Sequence, residues 1–317
     1  MRTVASIWAT KAALPSGGMF EGASRGASSV KKITWIGDVR ASGNISKECV
    51  AYLKEKRLTS CVIGGAGLKR LMPSYQYRLL MDSLPGRKIV DSDRLLSELR
   101  MVKSSAEILQ IRRAGRIVSR VFDFIAGTPF AEPAENVLEA AARREARLEG
   151  AEDFRMMILK PSDENGAFRP PEERPIRPGD KIIIYLAVAF ERYWAEAVRT
   201  ITFTDASFRE TLPDPVKTLY ETIRQGMTIG KKVSQIYRDA MVKIAKTKFE
   251  EISDYGMGQG IGLSLKELPL IAKEDRTLLA DGMCLSLRLG IRDKETGAVM
   301  TGETICLSKA GPVVLTR

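Results

Sequence analysis

The spacing of apolar residues changes near residue 100 and predicts two domains. Residues 33–100 alternate short apolar runs with segments of helical periodicity, whereas a long amphipathic helix begins near Ser104. Alternating strands and helices are typical of a small α/β domain with a partly parallel sheet. We therefore predict an N-terminal α/β domain over residues 1–100 and a second domain over residues 101–317.

The N-terminal domain is predicted to contain three strands and two helices. The strands are expected over residues 33–36, 60–63 and 88–90, and the helices from Asn44 to about Lys56 and over residues 73–84. Gly64 and Gly65 are expected to end the second strand, and residues 14–29, rich in Gly, Ser and Ala, to form a loop.

The second domain is predicted to be α+β, with helices on one side of an antiparallel sheet. Ser104 and Glu107 have the spacing of a capping box, in which each side chain satisfies a free backbone N–H at the helix start. Further helices are expected over residues 134–149, 214–225 and 233–249, and strands over residues 181–188, 193–203, 260–264, 283–289 and 304–307.

The absence of histidine restricts the chemistry available to this chain. None of the 317 residues is a histidine. Histidine is the commonest metal ligand and the commonest general base near neutral pH. Histidine-dependent zinc sites, Ser-His-Asp triads and Cys-His pairs are therefore excluded.

The basic charge permits a polyanionic partner without establishing one. The net charge is +11. The clearest cluster of basic residues is Arg112, Arg116 and Arg120, which are four residues apart on one predicted helix, together with Arg113. No aromatic residues alternate with these arginines, as they do in single-strand binders. A solvated helix face is the favoured interpretation, and a nucleic-acid partner is not expected.

The cysteines and the apolar runs indicate a cytoplasmic protein. Four cysteines lie far apart without a CxxC pair, which favours buried thiols (Cys49, Cys61, Cys284 and Cys306). The longest apolar runs are strand-sized, well short of the ~18 residues of a membrane helix. The N-terminus has no secretion signal pattern, so neither export nor a membrane partner is expected.

Five segments of the second domain form a set of motifs in a fixed order: 103–108 (KSSAEI), Gly179–Asp180 with Arg199–Thr200, 258–263 (GQGIGL) with Lys266–Glu267, Gly282–Met283 with Gly290–Ile291, and Glu303–Thr304. In order and spacing they resemble the pita-bread metallopeptidases: methionine aminopeptidase, aminopeptidase P, prolidase and creatinase. The resemblance implies a pita-bread fold over residues 101–317. Residues 33–100 resemble the small N-terminal domain of the creatinase and prolidase branch, shortened at its front.

The resemblance also implies a site for two divalent metals, held by two aspartates, one histidine and two glutamates, which activate a water. The corresponding positions here are Tyr185, Glu196, Gln259, Arg288 and Gly302. Only Glu196 is acidic. Using Glu303 in place of Gly302 would turn the side chain to the other face of the sheet. We therefore expect no metal, no other cofactor and no metal-dependent peptidase activity.

Two histidines that handle substrate in the resembling enzymes are also replaced. Phe168 and Lys266 stand at their positions. Creatinase resembles the family and works without a metal, but its chemistry depends on a histidine, so that route is closed as well.

Two functions stay open at this point. In the first, Arg288 pairs with Glu196, the arginine supplies the charge that the metals supplied, and the chain is a pseudoenzyme acting as a binding or assembly subunit. The resemblance implies a homodimer, or a heterodimer with an active paralogue. A site filled by Tyr185, Phe168 and Met300 would favour this function.

In the second, the altered pocket is a metal-independent active site. Tyr185, Glu196, Lys266 and Arg288 are the candidate catalytic residues, with Arg169 as a further lining residue. Such a site would suit a lyase, isomerase or small-molecule hydrolase acting on an anionic compound. An enclosed cavity around Arg288 would favour it.

Overall fold

The structure is a computed structural model of the chain. It describes residues 7–9, 39–41, 45–58, 61–84, 89–130, 133–161, 167–204, 207–252, 255–294 and 297–317. The strand expected over residues 33–36 and the loop expected over residues 14–29 lie outside the described residues. The chain divides into two compact units, Met1–Leu96 and Ser97–Arg317.

The first unit alternates strands and helices, as the apolar pattern predicts. In chain order its elements are β1 (Ile7–Ala9), β2 (Val39–Ala41), α1 (Ile45–Glu55), β3 (Ile63–Gly65), α2 (Leu68–Leu71), α3 (Ser74–Ser83) and β4 (Ile89–Asp91). Strand β1 pairs in parallel with β2, and β3 with β4. Helix α4 (Asp93–Met101), which the sequence analysis did not predict, spans the division between the units.

Strand β3 lies later in the chain than the predicted 60–63, because it includes Gly64 and ends at Gly65. A Cβ built on Gly65 would lie 2.2 Å from Leu68 Cδ1, and one on Gly64 would lie 2.4 Å from Ser92 Oγ. The glycines therefore allow the following segments to approach the strand closely.

The second unit begins with the predicted long helix, α5 (Ser105–Gly127). The capping box is present: the Ser104 side chain accepts from the Glu107 N–H, and the Glu107 carboxylate accepts from the Ser104 N–H at 2.8 Å. Helix α6 (Glu135–Leu148) follows, and both helices bury one apolar face. Arg112, Arg116 and Arg120 are exposed, as a solvated helix face requires.

An antiparallel sheet fills the rest of the second unit. Among the described residues it has ten strands, in the main order β11-β10-β12-β13-β7-β6-β5, with β14 beside β13, β8 beside β7 and β9 beside β12. The strands are β5 (Asp153–Leu159), β6 (Lys181–Phe190), β7 (Tyr193–Thr204), β8 (Ser207–Glu210), β9 (Glu250–Glu251), β10 (Gly258–Gly260), β11 (Glu267–Leu270), β12 (Cys284–Asp293), β13 (Gly297–Ser308) and β14 (Gly311–Val314). Helices α7 (Asp214–Gln225) and α8 (Val233–Ile244) complete the unit.

The central strands are buried on both faces. On β6, Ile182 and Ile184 pack in the large core with helices α5 and α6, whereas Ile183 packs in a small cluster with Val198 and Met300. Side chains alternate between the faces of a strand, so the small cluster lies on the face opposite the helices. Burial on both sides explains why β6 reads as a continuous apolar run.

Several boundaries differ from the prediction for local reasons. Helix α8 ends at Ile244 rather than Phe249, because the Thr247 N–H and hydroxyl both bond to the Ile244 carbonyl and close a turn. The strands of the second unit that were not predicted are β5, β8, β9, β11 and β14, and the strand expected over residues 260–264 is instead β10, Gly258–Gly260. Cys61 is exposed and Cys49 partly buried, so the prediction of buried thiols holds only for Cys284 and Cys306. Among the helices in the described part of the chain, none is long and apolar enough to cross a bilayer.

Candidate functional site

Glu196 is the only acid among the five positions that the family resemblance assigns to metal ligands, and it is almost completely buried on β7, at 1% exposure. Its backbone N–H donates to Thr304 Oγ1 at 2.9 Å, which fixes it against β13. Its carboxylate accepts three hydrogen bonds: Tyr185 Oη donates to Oε2 at 2.7 Å, and Ser286 Oγ and Arg288 Nη1 donate to Oε1. The charge is therefore satisfied by neighbouring side chains.

Arg288 reaches across the site from β12 and pairs with Glu196, as the sequence predicts. Its Nη1 lies 3.2 Å from Glu196 Oε1. Its Nη2 donates to Gln259 Oε1 at 2.5 Å and to the Tyr255 carbonyl at 3.2 Å. The guanidinium thus bridges a carboxylate, an amide and a backbone carbonyl, which is the arrangement that offsets the desolvation of a buried arginine.

Gly302 makes room for Arg288. The two residues pair directly across β12 and β13. A Cβ built on Gly302 would lie 2.8 Å from Arg288 Cγ and 3.0 Å from the Leu287 carbonyl oxygen. The first contact is shorter than Cβ contacts in proteins and the second is tighter than most, so a side chain opposite Arg288 would require its neighbours to shift.

Glu303 lies on the opposite face of the sheet from this cluster. Its carboxylate bonds to Arg199 and Arg317, on the side of helices α5 and α7. This placement agrees with the alternation of side chains along β13, which excludes Glu303 as a substitute for Gly302.

Gln259 is held on the short strand β10, between two glycines that permit close packing. Its Nε2 donates to the Leu265 carbonyl at 3.3 Å, which orients Oε1 toward Arg288. A Cβ on Gly258 would lie 2.0 Å from the Ser286 carbonyl oxygen, and one on Gly260 would lie 2.2 Å from the Leu268 carbonyl oxygen. The glycines therefore serve strand packing.

Aromatic side chains pack beside the cluster. The Phe168 ring makes edge contacts with Tyr255, at 4.8 Å between centroids, and with Tyr185, at 6.2 Å. The Phe168 N–H donates to Tyr255 Oη at 2.8 Å, which holds the loop in place. Met300 is 1% exposed in the same apolar cluster. Phe168, which the family resemblance aligns with a substrate histidine, thus contributes apolar packing.

Tyr185 acts as a hydrogen-bond donor. Burial, reinforced by the adjacent Glu196 carboxylate, raises the pKa of its phenol far above the ordinary value. The phenol stays protonated at neutral pH, so its proton is committed to Glu196.

Two of the proposed pocket residues do not join the cluster. The Arg169 guanidinium makes two bonds to the Glu135 carboxylate, at 2.6 and 2.8 Å, so the expectation that it lines the pocket is wrong. The Lys266 side chain is exposed, and no contact links it to Glu196 or Arg288 in the part of the chain that the structure describes. Both residues come from loops, where spacing along the sequence does not fix the direction of a side chain.

Two contributors were missed by the sequence analysis. Ser286 lies two residues before Arg288 on the same strand, so strand alternation alone would have placed both on one face. Tyr255 precedes β10 in a loop, and no sequence pattern marks it.

The side chains present do not fit a pair of divalent cations. Among the described residues, no group of three or more His, Cys, Asp and Glu side chains could hold an ion. Glu196 is a lone carboxylate that already accepts three hydrogen bonds, and Arg288 would repel a cation directly. A dinuclear site needs several anionic ligands, which this donor set lacks.

Comparison with known proteins places the chain in a family. The model of metallopeptidase family M24 matches residues 109–309. The Xaa-Pro dipeptidase of Pyrococcus horikoshii is 26% identical over 234 residues, which are 71% of this chain and 65% of that relative. The chain thus spans just under two thirds of the length of this curated relative.

Solved structures share the fold. The X-Pro aminopeptidase from Thermotoga maritima superposes with a TM-score of 0.74 at 21% identity, covering 93% of this chain and 84% of that one. The prolidase from Pyrococcus furiosus gives 0.75 at 17% identity, covering 98% and 87%. These matches confirm the predicted pita-bread fold. The chain belongs to metallopeptidase family M24.

Proposed function

We propose that this chain is a metal-free member of its family that works as a binding or assembly subunit and does not hydrolyse peptides. The observation that carries the proposal is the Arg288 guanidinium, which bonds to both Glu196 and Gln259 at the former ligand positions. Family membership and fold do not establish an activity, because function depends on the residues of the site.

The electrostatics support this proposal. A buried carboxylate without a partner is costly, and a cation beside it offsets that cost. Arg288 supplies the positive charge permanently, because a guanidinium stays protonated in proteins. The interaction between Arg288 and Glu196 therefore stabilises the fold.

The packing supports it as well. Phe168, Tyr185 and Met300 belong to one apolar cluster on the site's face of the sheet, the arrangement expected of a filled site. A family enzyme needs space there for a peptide and a nucleophilic water.

The partner forms part of the proposal. A second copy of the chain or an active paralogue is the expected partner. Four unlinked cysteines agree with the cytoplasm, where thiols stay reduced.

One observation favours the alternative of a metal-independent enzyme acting on an anionic compound. Arg288 Nε is buried and has no acceptor among the described residues. An oxyanion could accept a hydrogen bond from it. The proposed acid–base groups weigh against this alternative, since Tyr185 stays protonated and the Lys266 side chain is exposed.

Hydrolysis of Xaa-Pro dipeptides tests the proposal, with and without added Mn²⁺, Co²⁺ or Zn²⁺. We expect no turnover above the buffer rate for the natural chain. Metal-dependent turnover by the natural chain would contradict the proposal. The matched control carries Tyr185→Asp, Gln259→His, Arg288→Glu and Gly302→Glu, which restore the family's ligand types beside Glu196. This variant is expected to bind Mn²⁺.

Light scattering tests the assembly role. A particle of twice the mass of the chain, or a complex with a co-expressed paralogue, is the expected result. A chain that stays monomeric both alone and with the paralogue would contradict that role.

A further inference from the structure

A cavity lies on the helix side of the sheet, away from the Glu196–Arg288 cluster. Its volume is about 620 Å³, within the range of pockets that bind small molecules. Helix α5 forms one wall through Phe122 and Ile125, and strands β7 and β8 form another through Ile201 and Phe208. The body of a ligand in this cavity would therefore contact apolar surface.

Glu303 lines this cavity with one carboxylate oxygen unused. The residue is 2% exposed. Its Oε1 accepts from Arg317 Nε at 2.9 Å and from Arg199 Nη2 at 3.4 Å. Its Oε2 is buried and has no donor among the described residues. A buried carboxylate oxygen without a donor is costly, and a ligand N–H or O–H group that reached this atom from the cavity would remove that cost.

The nearby hydroxyl of Tyr220 does not satisfy this oxygen. It donates to the Leu287 carbonyl at 3.4 Å. Burial, together with the charge of Glu303, raises the pKa of Tyr220 well above its ordinary value, so the phenol stays neutral. The cavity thus contains an anionic acceptor and a neutral phenol beside it.

The charge balance of the lining favours a cation. The acidic side chains are Asp123, Glu210, Glu221 and Glu303, against Arg199, Lys217 and Arg317. The bases are engaged with acids: Arg317 bonds to Glu221 and Glu303, Arg199 to Glu303 and Glu210, and Lys217 to Asp214, while Arg224, outside the lining, bonds to Glu221. The lining therefore has one more acidic than basic side chain. An anionic ligand would add to this negative charge, whereas a cation would neutralise it.

We propose that this cavity binds a small organic amine, with its apolar body between α5 and β7–β8 and its ammonium group hydrogen-bonded to Glu303 Oε2. An ammonium group offers three donors and carries the charge that the cavity lacks. The site shares no residue with the Glu196–Arg288 cluster, so it does not rest on the function proposed for that cluster.

Binding of benzylamine tests this inference, with benzyl alcohol and benzoate as neutral and anionic analogues. Isothermal titration calorimetry should show saturable binding of benzylamine, at least about tenfold tighter than either analogue, as loss of a charge-assisted bond implies. Absence of benzylamine binding would overturn the inference, as would equal or tighter binding of benzyl alcohol or benzoate.

Two variants locate the bound amine. Glu303→Gln keeps the shape of the side chain and removes its charge, so benzylamine affinity should fall by at least about tenfold. Ala126→Trp fills the cavity from the exposed side of α5 and leaves Glu303 intact, so it should also abolish binding. Glu139→Gln, on the surface of α6, is the matched control and should bind as the natural chain does.

These variants keep the inference testable if one of them fails to fold. If Glu303→Gln does not fold, the Ala126→Trp variant still tests the site. The measurement is the change in its melting temperature when benzylamine is added. If a folded Ala126→Trp chain binds benzylamine as tightly as the natural chain does, the amine does not bind in this cavity.

Discussion

Gly302 and Arg288 lie opposite each other across β12 and β13, and a Cβ on Gly302 would come within 2.8 Å of Arg288 Cγ. The family resemblance assigns both positions to metal ligands. In this chain the two residues are complementary in size: Gly302 has no side chain and leaves space for the long side chain of Arg288. The space beside Glu196 is thereby given to the arginine.

Gly302→Ala is expected to destabilise the fold, because the added methyl group would press on the Arg288 stem and the Leu287 carbonyl. Overpacking of this kind costs about 1–3 kcal/mol in the free energy of unfolding, measured by urea denaturation. An Arg288→Ala background removes the shortest contact, with Cγ, and keeps the one with the Leu287 carbonyl, so the cost of the methyl group should fall in part. Residues in contact show coupling of about 0.5–3 kcal/mol.

Gly127→Ala is the matched control for this experiment. It lies at the end of α5, and nothing stands within 4 Å of a Cβ built there. We expect it to leave stability unchanged or slightly raised. If Gly302→Ala is as harmless as Gly127→Ala, or if its cost adds independently to that of Arg288→Ala, the proposed fit between the two residues is wrong.

Arg288→Glu is expected to destabilise the fold strongly, because it places a second buried carboxylate beside Glu196. Breaking a buried ion pair costs about 3–5 kcal/mol, which thermal unfolding detects readily. Arg143→Glu is the control. Arg143 pairs with Glu139 one turn away on the partly exposed face of α6, so this change should lower the free energy of unfolding by under about 1 kcal/mol. An unchanged melting temperature for Arg288→Glu would show that the pair does not support the fold.

Asp180 is expected to contribute stability that depends on pH. Burial opposes ionisation of this carboxyl, but the Arg177 N–H and the Lys160 ammonium outweigh it and lower the pKa below the ordinary 3.8. Because the pKa is lower in the folded than in the unfolded state, ionised Asp180 stabilises the fold at pH values above its ordinary pKa. This contribution is lost as the pH falls through the folded-state pKa.

The comparison of the natural chain with Asp180→Asn tests this dependence. The natural chain should melt at a higher temperature at pH 7, and the difference should shrink as the pH falls below 3.8 and through the lowered pKa of Asp180. A difference that stays constant over this range would mean that ionisation of Asp180 does not matter to the fold.

The sequence predicted those parts of the site that lie on long strands. The positions of Tyr185, Glu196 and Arg288 follow from strand alternation and from the spacing of the family motifs, and the structure pairs Arg288 with Glu196 as expected. The bounds of α7 were also predicted, because its apolar spacing is regular and Pro213 precedes it.

The parts that the sequence did not predict depend on tertiary contacts. Arg169 follows a loop, and its direction is decided by Glu135 on α6, to which no local pattern connects it. The unused oxygen of Glu303 and the cavity around it depend on residues from α5 to the final Arg317. The role of Gly302 required the register of two strands, which a motif alone does not provide.

Metal analysis by inductively coupled plasma mass spectrometry tests the central claim most directly. The chain would be purified, equilibrated with Mn²⁺, Co²⁺, Zn²⁺ or Fe²⁺, and dialysed before measurement. Because Arg288 stands at a position that the resemblance assigns to a ligand, and Glu196 already accepts three hydrogen bonds, we expect far less than one ion per chain. A content close to two ions per chain would contradict the account.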